Sequence, residues 1–172
     1  MAVEALKAVM IRFDVSVLTK ARLGASLTLN VDTGPRCLTD LDVDFLRGDV
    51  QAVRVQGGLL VRGTVESQLM LECVRCLDSR VFDVALDVEE TFRLSGTDPK
   101  PDGSPTVGDD GWLDLTPLLR EQAWLAIPMK PLCRSDCEGL CPQCGANLNP
   151  KSCACDREPI DPRLAVLKDL MG

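Results

Sequence analysis

The residues best placed to do chemistry are cysteines. Six of the nine fall between Cys133 and Cys155, in the string Cys133-Arg-Ser-Asp-Cys137-Glu-Gly-Leu-Cys141-Pro-Gln-Cys144-Gly-Ala-Asn-Leu-Asn-Pro-Lys-Ser-Cys153-Ala-Cys155. An earlier pair, Cys73-Val-Arg-Cys76, brings the set to eight. Eight thiols suit two tetrahedral sites of four thiolates each, the arrangement zinc takes in structural sites built from short Cys-x-x-Cys clips. Gly145, directly after the second clip, can adopt the positive φ that turns backbone N–H groups towards sulfur. Spacing allows two partitions. The favoured one groups Cys141, Cys144, Cys153 and Cys155, leaving Cys133 and Cys137 to reach across to Cys73 and Cys76. A Cys-x-Cys pair soon after a knuckle closes a small loop at little entropic cost. The other groups Cys133, Cys137, Cys141 and Cys144, leaving Cys73, Cys76, Cys153 and Cys155. Cys37 stands apart and reads as a small buried or loop residue.

Other uses of thiols compete with a structural metal. Disulfides belong to secreted chains, and Glu4, Lys7, Arg12 and Asp14 break any apolar run that could serve as a signal peptide, so a cytoplasmic chain is expected. A redox Cys-x-x-Cys would open a helix in a βαβ setting, which neither clip has. Four cysteines can also hold an iron–sulfur cluster, an alternative that spacing leaves open.

Composition narrows the function classes. Histidine is absent from the 172 residues, which removes His-based triads, Cys–His proteases and mixed Cys/His zinc sites. The net charge is −7, the pI is near 4.6, and two four-thiolate sites holding divalent ions would take the charge to about −11. A chain this acidic, with 3% aromatic residues, lacks the basic face and stacking platform of a general nucleic-acid binder. Contact with nucleic acid should be local or run through a basic protein. Arg75, Arg80, Lys130, Arg134, Lys151 and Arg157, all beside the clips, are the candidate contacts; the plainer reading is that they offset thiolate charge. No apolar run is long enough to cross a bilayer. No repeat, heptad pattern, phosphate-binding glycine loop or nucleotide fingerprint is present.

The elements that must position the clips are mostly strands. Val9, Ile11, Phe13, Val15 and Val17 alternate with polar residues and predict a strand. Leu27, Leu29 and Val31 predict a second, ended by Asp32-Thr-Gly-Pro35. Leu41, Val43 and Phe45 predict a third, short one. Val53 and Val55 lead through Gln56-Gly57-Gly58 into a long strand from Leu59 to Glu72, with a bend expected near Gly63 or Ser67. Phe82, Val84, Leu86 and Val88 form its partner, which puts Cys73 and Cys76 at a hairpin tip. Residues 95–111 read as a mobile loop, and an acidic docking strip is the lesser alternative. A helix over 114–127 follows, capped by Asp114 or Thr116 with Pro117 in its first turn; its stripe is Leu115, Leu118, Leu119, Gln122, Leu125 and Ala126. A last helix opens with Asp161 and Pro162 and carries Leu164, Leu167, Leu170 and Met171. The expected fold is α+β and β-rich: an antiparallel, barrel-like or strongly curved sheet with two helices and a C-terminal cysteine-rich zinc-binding segment. Residues 1–131 form the core domain. Residues 132–172 form the metal-binding segment, with the terminal helix packed on that core.

These motifs, in this order, resemble the bacterial YceD family, the large ribosomal RNA subunit accumulation proteins. The resemblance runs over roughly residues 50 to 172. It rests on Cys73-Val-Arg-Cys-Leu, Asp114-Leu-Thr, Leu119-Arg-Glu, Ile127-Pro and Pro131, then on Cys137-Glu-Gly-Leu-Cys-Pro-Gln-Cys-Gly-Ala-Asn-Leu-Asn and Asp161-Pro-Arg-Leu-Ala-Val-Leu. The N-terminal third carries no matching motif. The resemblance implies a cytoplasmic, non-enzymatic factor supporting large-subunit rRNA accumulation and ribosome assembly. Its partner would be large-subunit rRNA, a basic ribosomal protein or a pre-ribosomal particle, with no membrane and no small-molecule substrate. The rival reading from another class is a thiol redox protein or redox-regulated chaperone using Cys73 and Cys76.

Overall fold

The computed structural model of the chain describes residues 10–94, 105–150 and 153–155. Strands dominate. In chain order they are β1 (Arg12–Asp14), β2 (Ser26–Thr33), β3 (Arg36–Cys37), β4 (Asp42–Val55), β5 (Gly58–Glu72), β6 (Ser79–Arg93) and β7 (Trp112–Asp114). Two helices join them, α1 (Ser16–Thr19) and α2 (Thr116–Ala126). The main sheet runs β2-β4-β5-β6 with β3 also on β4, every pairing antiparallel, and β1 and β7 make a separate antiparallel pair. The sheet does not close into a barrel among the described residues: β2 and β6 remain its edges.

The long hairpin predicted from alternation is present. β5 and β6 pair without interruption from Gly58↔Arg93 to Glu72↔Ser79, so the strands deliver Cys73 and Cys76 at their tip. Leu59, Val61, Val65 and Leu69 of β5 face Leu86, Val88 and Phe92 of β6 on one buried side. α2 covers that side with Leu118, Leu119 and Ala123, and Ile11, Val15, Leu113 and Leu115 join the same apolar cluster. Just before α2, Asp114 Oδ1 accepts the Thr116 N–H at 2.9 Å, while Thr116 Oγ1 accepts the Ile11 N–H at 2.7 Å and ties β1 to the helix start. Arg120 donates both Nε and Nη2 to the Asp40 carboxylate, fastening α2 to the turn before β4.

Four expectations need correction. Within the described residues, the strand predicted over Val9–Val17 survives only as β1. Asp14 Oδ1 takes the Ser16 N–H at 2.9 Å and turns the chain into α1, which buries Val15 and leaves Val17 78% exposed. The predicted short third strand and the arm from Val53 are one strand, β4. Its register with β5 shifts between Val43 and Leu46, so the buried set moves from Val43 to Leu46, Val50 and Ala52 and the alternation changes phase. The loop predicted over 95–111 is anchored at its far end: Arg93 N–H bonds Pro105 O, Val107 N–H bonds Arg93 O, and Val107 is buried. On α2, Leu125 is 77% exposed and Ala123 takes the buried place. The predicted terminal helix from Asp161, and residues 95–104 of the loop, lie outside the described residues.

The bend expected in β5 appears as the irregularity in β4 opposite it. Ser67, the one buried polar residue among the described residues, donates its hydroxyl to Phe45 O at 2.7 Å, beside the register shift. Ser67→Ala removes that donor while leaving the carbonyl buried. Urea unfolding should report a loss of about 1–3 kcal/mol. A loss below a few tenths would show that the carbonyl finds another donor. Farther along, Gly48 and Gly63 sit where β4 and β5 approach too closely for a side chain. A Cβ on either would run into the backbone carbonyl of Thr64 or Asp49 respectively.

Candidate metal centre

The tip of the β5–β6 hairpin is a tight loop. Cys73 N–H bonds Asp78 O at 3.0 Å and Leu77 N–H bonds Cys73 O at 2.9 Å, with Leu77 held at φ 62°. The chain leaving α2 docks on this loop through Val74 N–H to Pro131 O at 2.9 Å. It then turns at Cys137, where Arg75 Nη1 bonds the Cys137 carbonyl at 2.8 Å. Gly139, at φ 80°, passes so close to Arg75 that an added Cβ would lie 3.0 Å from its carbonyl oxygen. Beyond it the Cys141–Cys144 knuckle is closed by Gly145 N–H to Cys141 O and Cys141 N–H to Ala146 O, both at 2.8 Å. Gly145 takes φ 71°, the conformation expected of it.

These turns gather the sulfurs into two groups of four: Cys73, Cys76, Cys133 and Cys137, and Cys141, Cys144, Cys153 and Cys155. Within each group all four Sγ atoms lie within 4.8 Å of one another, so each could hold a metal ion. The grouping is the first of the two partitions that spacing allows. No two sulfurs are bonded. Instead Cys73 and Cys137 sit 3.8 Å apart and Cys76 and Cys133 3.6 Å apart. An ion about 2.3 Å from four tetrahedral sulfurs would set them about 3.8 Å from each other. The cage therefore has the dimensions of a four-thiolate site. Cys73, Cys76 and Cys137 are buried, with Leu132 and Leu140 packed on them, whereas Cys144 of the second group is exposed.

Electrostatics set the thiols of a group against each other. Burial works to raise Cys73, yet backbone N–H groups of Cys133, Cys76 and Arg75 outweigh it and bring the thiol to about 6. At Cys76 the Asp78 N–H pulls downward, but burial and the thiols of Cys133, Cys73 and Cys137 push it up to about 12. Burial and the Cys137 thiol raise Cys133. The second group repeats the split. N–H groups of Cys144 and Gln143 bring Cys141 to about 6, and Cys144 together with burial pushes Cys155 up to about 12. Four thiolates this close repel one another unless a cation sits among them.

The basic residues beside the clips divide. Arg75 holds the Cys137 carbonyl, and Arg134 bonds Asn149 Oδ1 at 3.1 Å and pairs with Asp136 at 3.3 Å. Arg80 and Lys130 are exposed at the same end of the molecule; Lys151 and Arg157 lie outside the described residues. Cys37 is on β3, outside both groups, its thiol raised by the carboxylate of Asp42. Three residues around the sulfurs carried no expected role. Asp78 Oδ2 lies 3.4 Å from Cys76 Sγ, Asn147 Nδ2 donates to that same oxygen at 3.0 Å, and Asn149 Nδ2 donates to Cys137 Sγ at 3.4 Å. The Asn-Leu-Asn run after Gly145 was the signal that could have found two of them.

Comparison with known proteins adds the family. The sequence profile of the family described as "Large ribosomal RNA subunit accumulation protein YceD" matches residues 61–171. The chain belongs to the YceD family. Three relatives illustrate the likeness. A Mycobacterium tuberculosis protein, Rv2926c, is 35% identical over 161 residues, covering 91% of this chain and 72% of the relative. YlbN of Bacillus subtilis is 30% identical over 142 residues, 78% of this chain and 81% of the relative. An Arabidopsis thaliana protein named large ribosomal RNA subunit accumulation protein YCED homolog 1, chloroplastic, is 26% identical over 177 residues, 86% of this chain and 53% of its own length. No solved structure matches. The YceD profile spans both clips, and the mycobacterial likeness reaches into the N-terminal third, where spacing alone marked no motif. Among the described residues no helix is long and apolar enough to cross a membrane.

Proposed function

We propose that this YceD-family chain is a non-enzymatic factor supporting large-subunit rRNA accumulation and ribosome assembly, with zinc in both four-cysteine sites. The observation that carries the reading is the pairing of two four-sulfur cages at one end of a strand-rich body with membership of a family described by rRNA accumulation. Zinc is the ion for a site of four thiolates and no imidazole, and the mutual 4.8 Å limit within each group suits one ion better than a multi-iron cluster. Its work would be structural, fixing how the segment after Pro131 sits on the hairpin tip. All eight sulfurs serve as ligands in this reading, in a reducing compartment such as the cytoplasm. No membrane or small-molecule substrate is involved.

Charge distribution supports the kind of partner. The outer face of the main sheet exposes Asp32, Asp49, Glu66, Asp83, Asp87 and Glu89 against Arg47 and Arg62, which suits a basic ribosomal protein within a pre-ribosomal particle. Direct contact with rRNA would be confined to the metal end, where Arg80 and Lys130 are exposed, with Arg75, Arg134, Lys151 and Arg157 as the further candidates. The thiol-redox alternative is less well served: Cys73 has the lowered thiol but is 0% exposed, out of reach of a disulfide substrate.

Deleting the gene should lower the free large subunit and 23S-type rRNA in a ribosome profile, with restoration by the wild-type chain. Unchanged profiles would overturn the ribosomal role. Elemental analysis of chain purified under reducing conditions should find close to two zinc ions; metal-free protein with a reactive acidic thiol would favour the redox reading instead.

A further inference from the structure

We propose that Asn147 and Asn149 couple the two cysteine groups, so that metal in the second site tightens metal binding in the first; this rests on the metal-binding reading given above. The turn carrying Cys141 and Cys144 is also the support for side chains that hold the first site in place.

The geometry is specific. Residues on either side of the knuckle form a short ladder: Leu148 N–H bonds Gly139 O at 2.9 Å, Leu140 bridges Asn147, and Cys141 N–H bonds Ala146 O. The returning arm of that ladder presents Asn149 to the first site. Its Oδ1 accepts N–H groups from Arg134 at 3.1 Å and from the Glu138 backbone at 3.0 Å, which aims Nδ2 at Cys137 Sγ, 3.4 Å away. Asn147 is held in turn, its Oδ1 accepting the Asn149 N–H at 3.0 Å while its Nδ2 bonds Asp78 beside Cys76. An N–H aimed at a thiolate stabilises its charge, and an N–H on the Asp78 carboxylate weakens the repulsion between that anion and a Cys76 thiolate.

The direction of coupling follows from connectivity. Asn147 and Asn149 lie between Cys144 and Cys153, two thiols of the second group. An ion there pins the chain on both sides of the Asn-Leu-Asn run. Without it the run is held by the ladder alone, and ordering it must be accomplished when the first site fills. Filling the second site first removes that entropic burden. Outer residues of this kind commonly change metal affinity by about 10–100-fold.

Cobalt(II) titration of the full chain, with chelator competition, tests the coupling. Wild type should bind two ions with thiolate-to-cobalt charge-transfer bands. Cys144→Ser with Cys155→Ser disables the second site and should weaken the first about 10–100-fold. Asn149→Ala should weaken the first site by a similar factor, and adding it to the serine pair should bring little further loss. Asn149→Asp keeps an acceptor for Arg134 and the Glu138 N–H but loses the donor. It should move the first-site charge-transfer band to lower energy without changing the unfolding of the sheet, and it decides the matter if the alanine variant folds poorly. First-site affinity and spectrum unchanged by these variants, or fully additive losses, would overturn the coupling while leaving both sites intact. Wild type that takes up no cobalt would instead overturn the metal reading itself.

Discussion

Removing metal from this chain should free the segment after Pro131 from the hairpin tip while the main sheet stays folded. The two parts are held by different forces. Leu59, Leu86, Phe92 and Leu119 belong to the large apolar cluster, whereas Cys73, Cys76 and Cys137 form a separate small one with only Leu132, Cys133 and Leu140 around it. That small cluster has little apolar area with which to order the tail. Structural zinc contributes an apparent 10–16 kcal/mol in small domains, roughly as much as the whole stability of many folds. Chelator treatment should therefore expose Arg134 to trypsin at least tenfold faster, with the β4–β6 strands still protected. Cys73→Ser with Cys76→Ser should do the same and leave about one ion per chain. Equal protection with and without metal would show that the tail is seated by something else. The pH dependence has a definite sign. In the metal-free chain Cys76 and Cys133 are raised and hold their protons at neutral pH. Metal must expel these protons, so affinity at the first site should climb at least about a hundredfold per pH unit around 7 and fall as steeply towards acid. Below about 6 Cys73 also takes up its proton, and the fall steepens. Indicator competition at several pH values would read the slope; a flat profile would contradict ligation by these thiols.

Phe92→Ala should bring the second large effect, on the sheet rather than the tail. Phe92 is 2% exposed, pairs across the strands with Leu59, and is the largest of the fully buried side chains. Truncating it removes transfer energy and leaves a void, together costing about 3–5 kcal/mol. Against a total stability of about 5–15 kcal/mol, that is from a fifth to nearly all of it. Urea titration should show the midpoint falling with the slope unchanged. A change under about 1 kcal/mol would mean that the core collapses around the gap.

What the sequence made legible follows from how strongly each feature constrains neighbouring residues. The β5–β6 hairpin was readable because its alternation runs over most of both strands and one face is largely buried. The cysteine groups were readable because thiols at fixed short spacing have few other uses in a chain without histidine. β4 was misread because the shift near Phe45 changes which parity is buried, and alternation cannot show a phase change as anything but an end. β1 was overextended because the Asp14 side chain captures the Ser16 N–H, a local bond that competes with a strand whose apolar pattern is otherwise sound. Val107 looked like part of a polar loop because one apolar residue has no period; its burial depends on Arg93, distant in sequence. Asn147 and Asn149 were visible only as an Asn-Leu-Asn run, without the sulfur or carboxylate each serves, since an amide announces its partner only once the chain has turned.

The first cysteine group joins positions 57 and 64 residues apart, whereas the second is drawn from a single short stretch. Closing the longer loop is entropically dearer and depends on the hairpin being formed already. During synthesis the strands up to Arg93 emerge before any of the tail's thiols, so the body of the molecule can be complete while its far end is still unfastened. On the metal reading proposed above, availability of the ion would set a late checkpoint: in a cell short of it, strand pairing would proceed and the tail would stay unfastened.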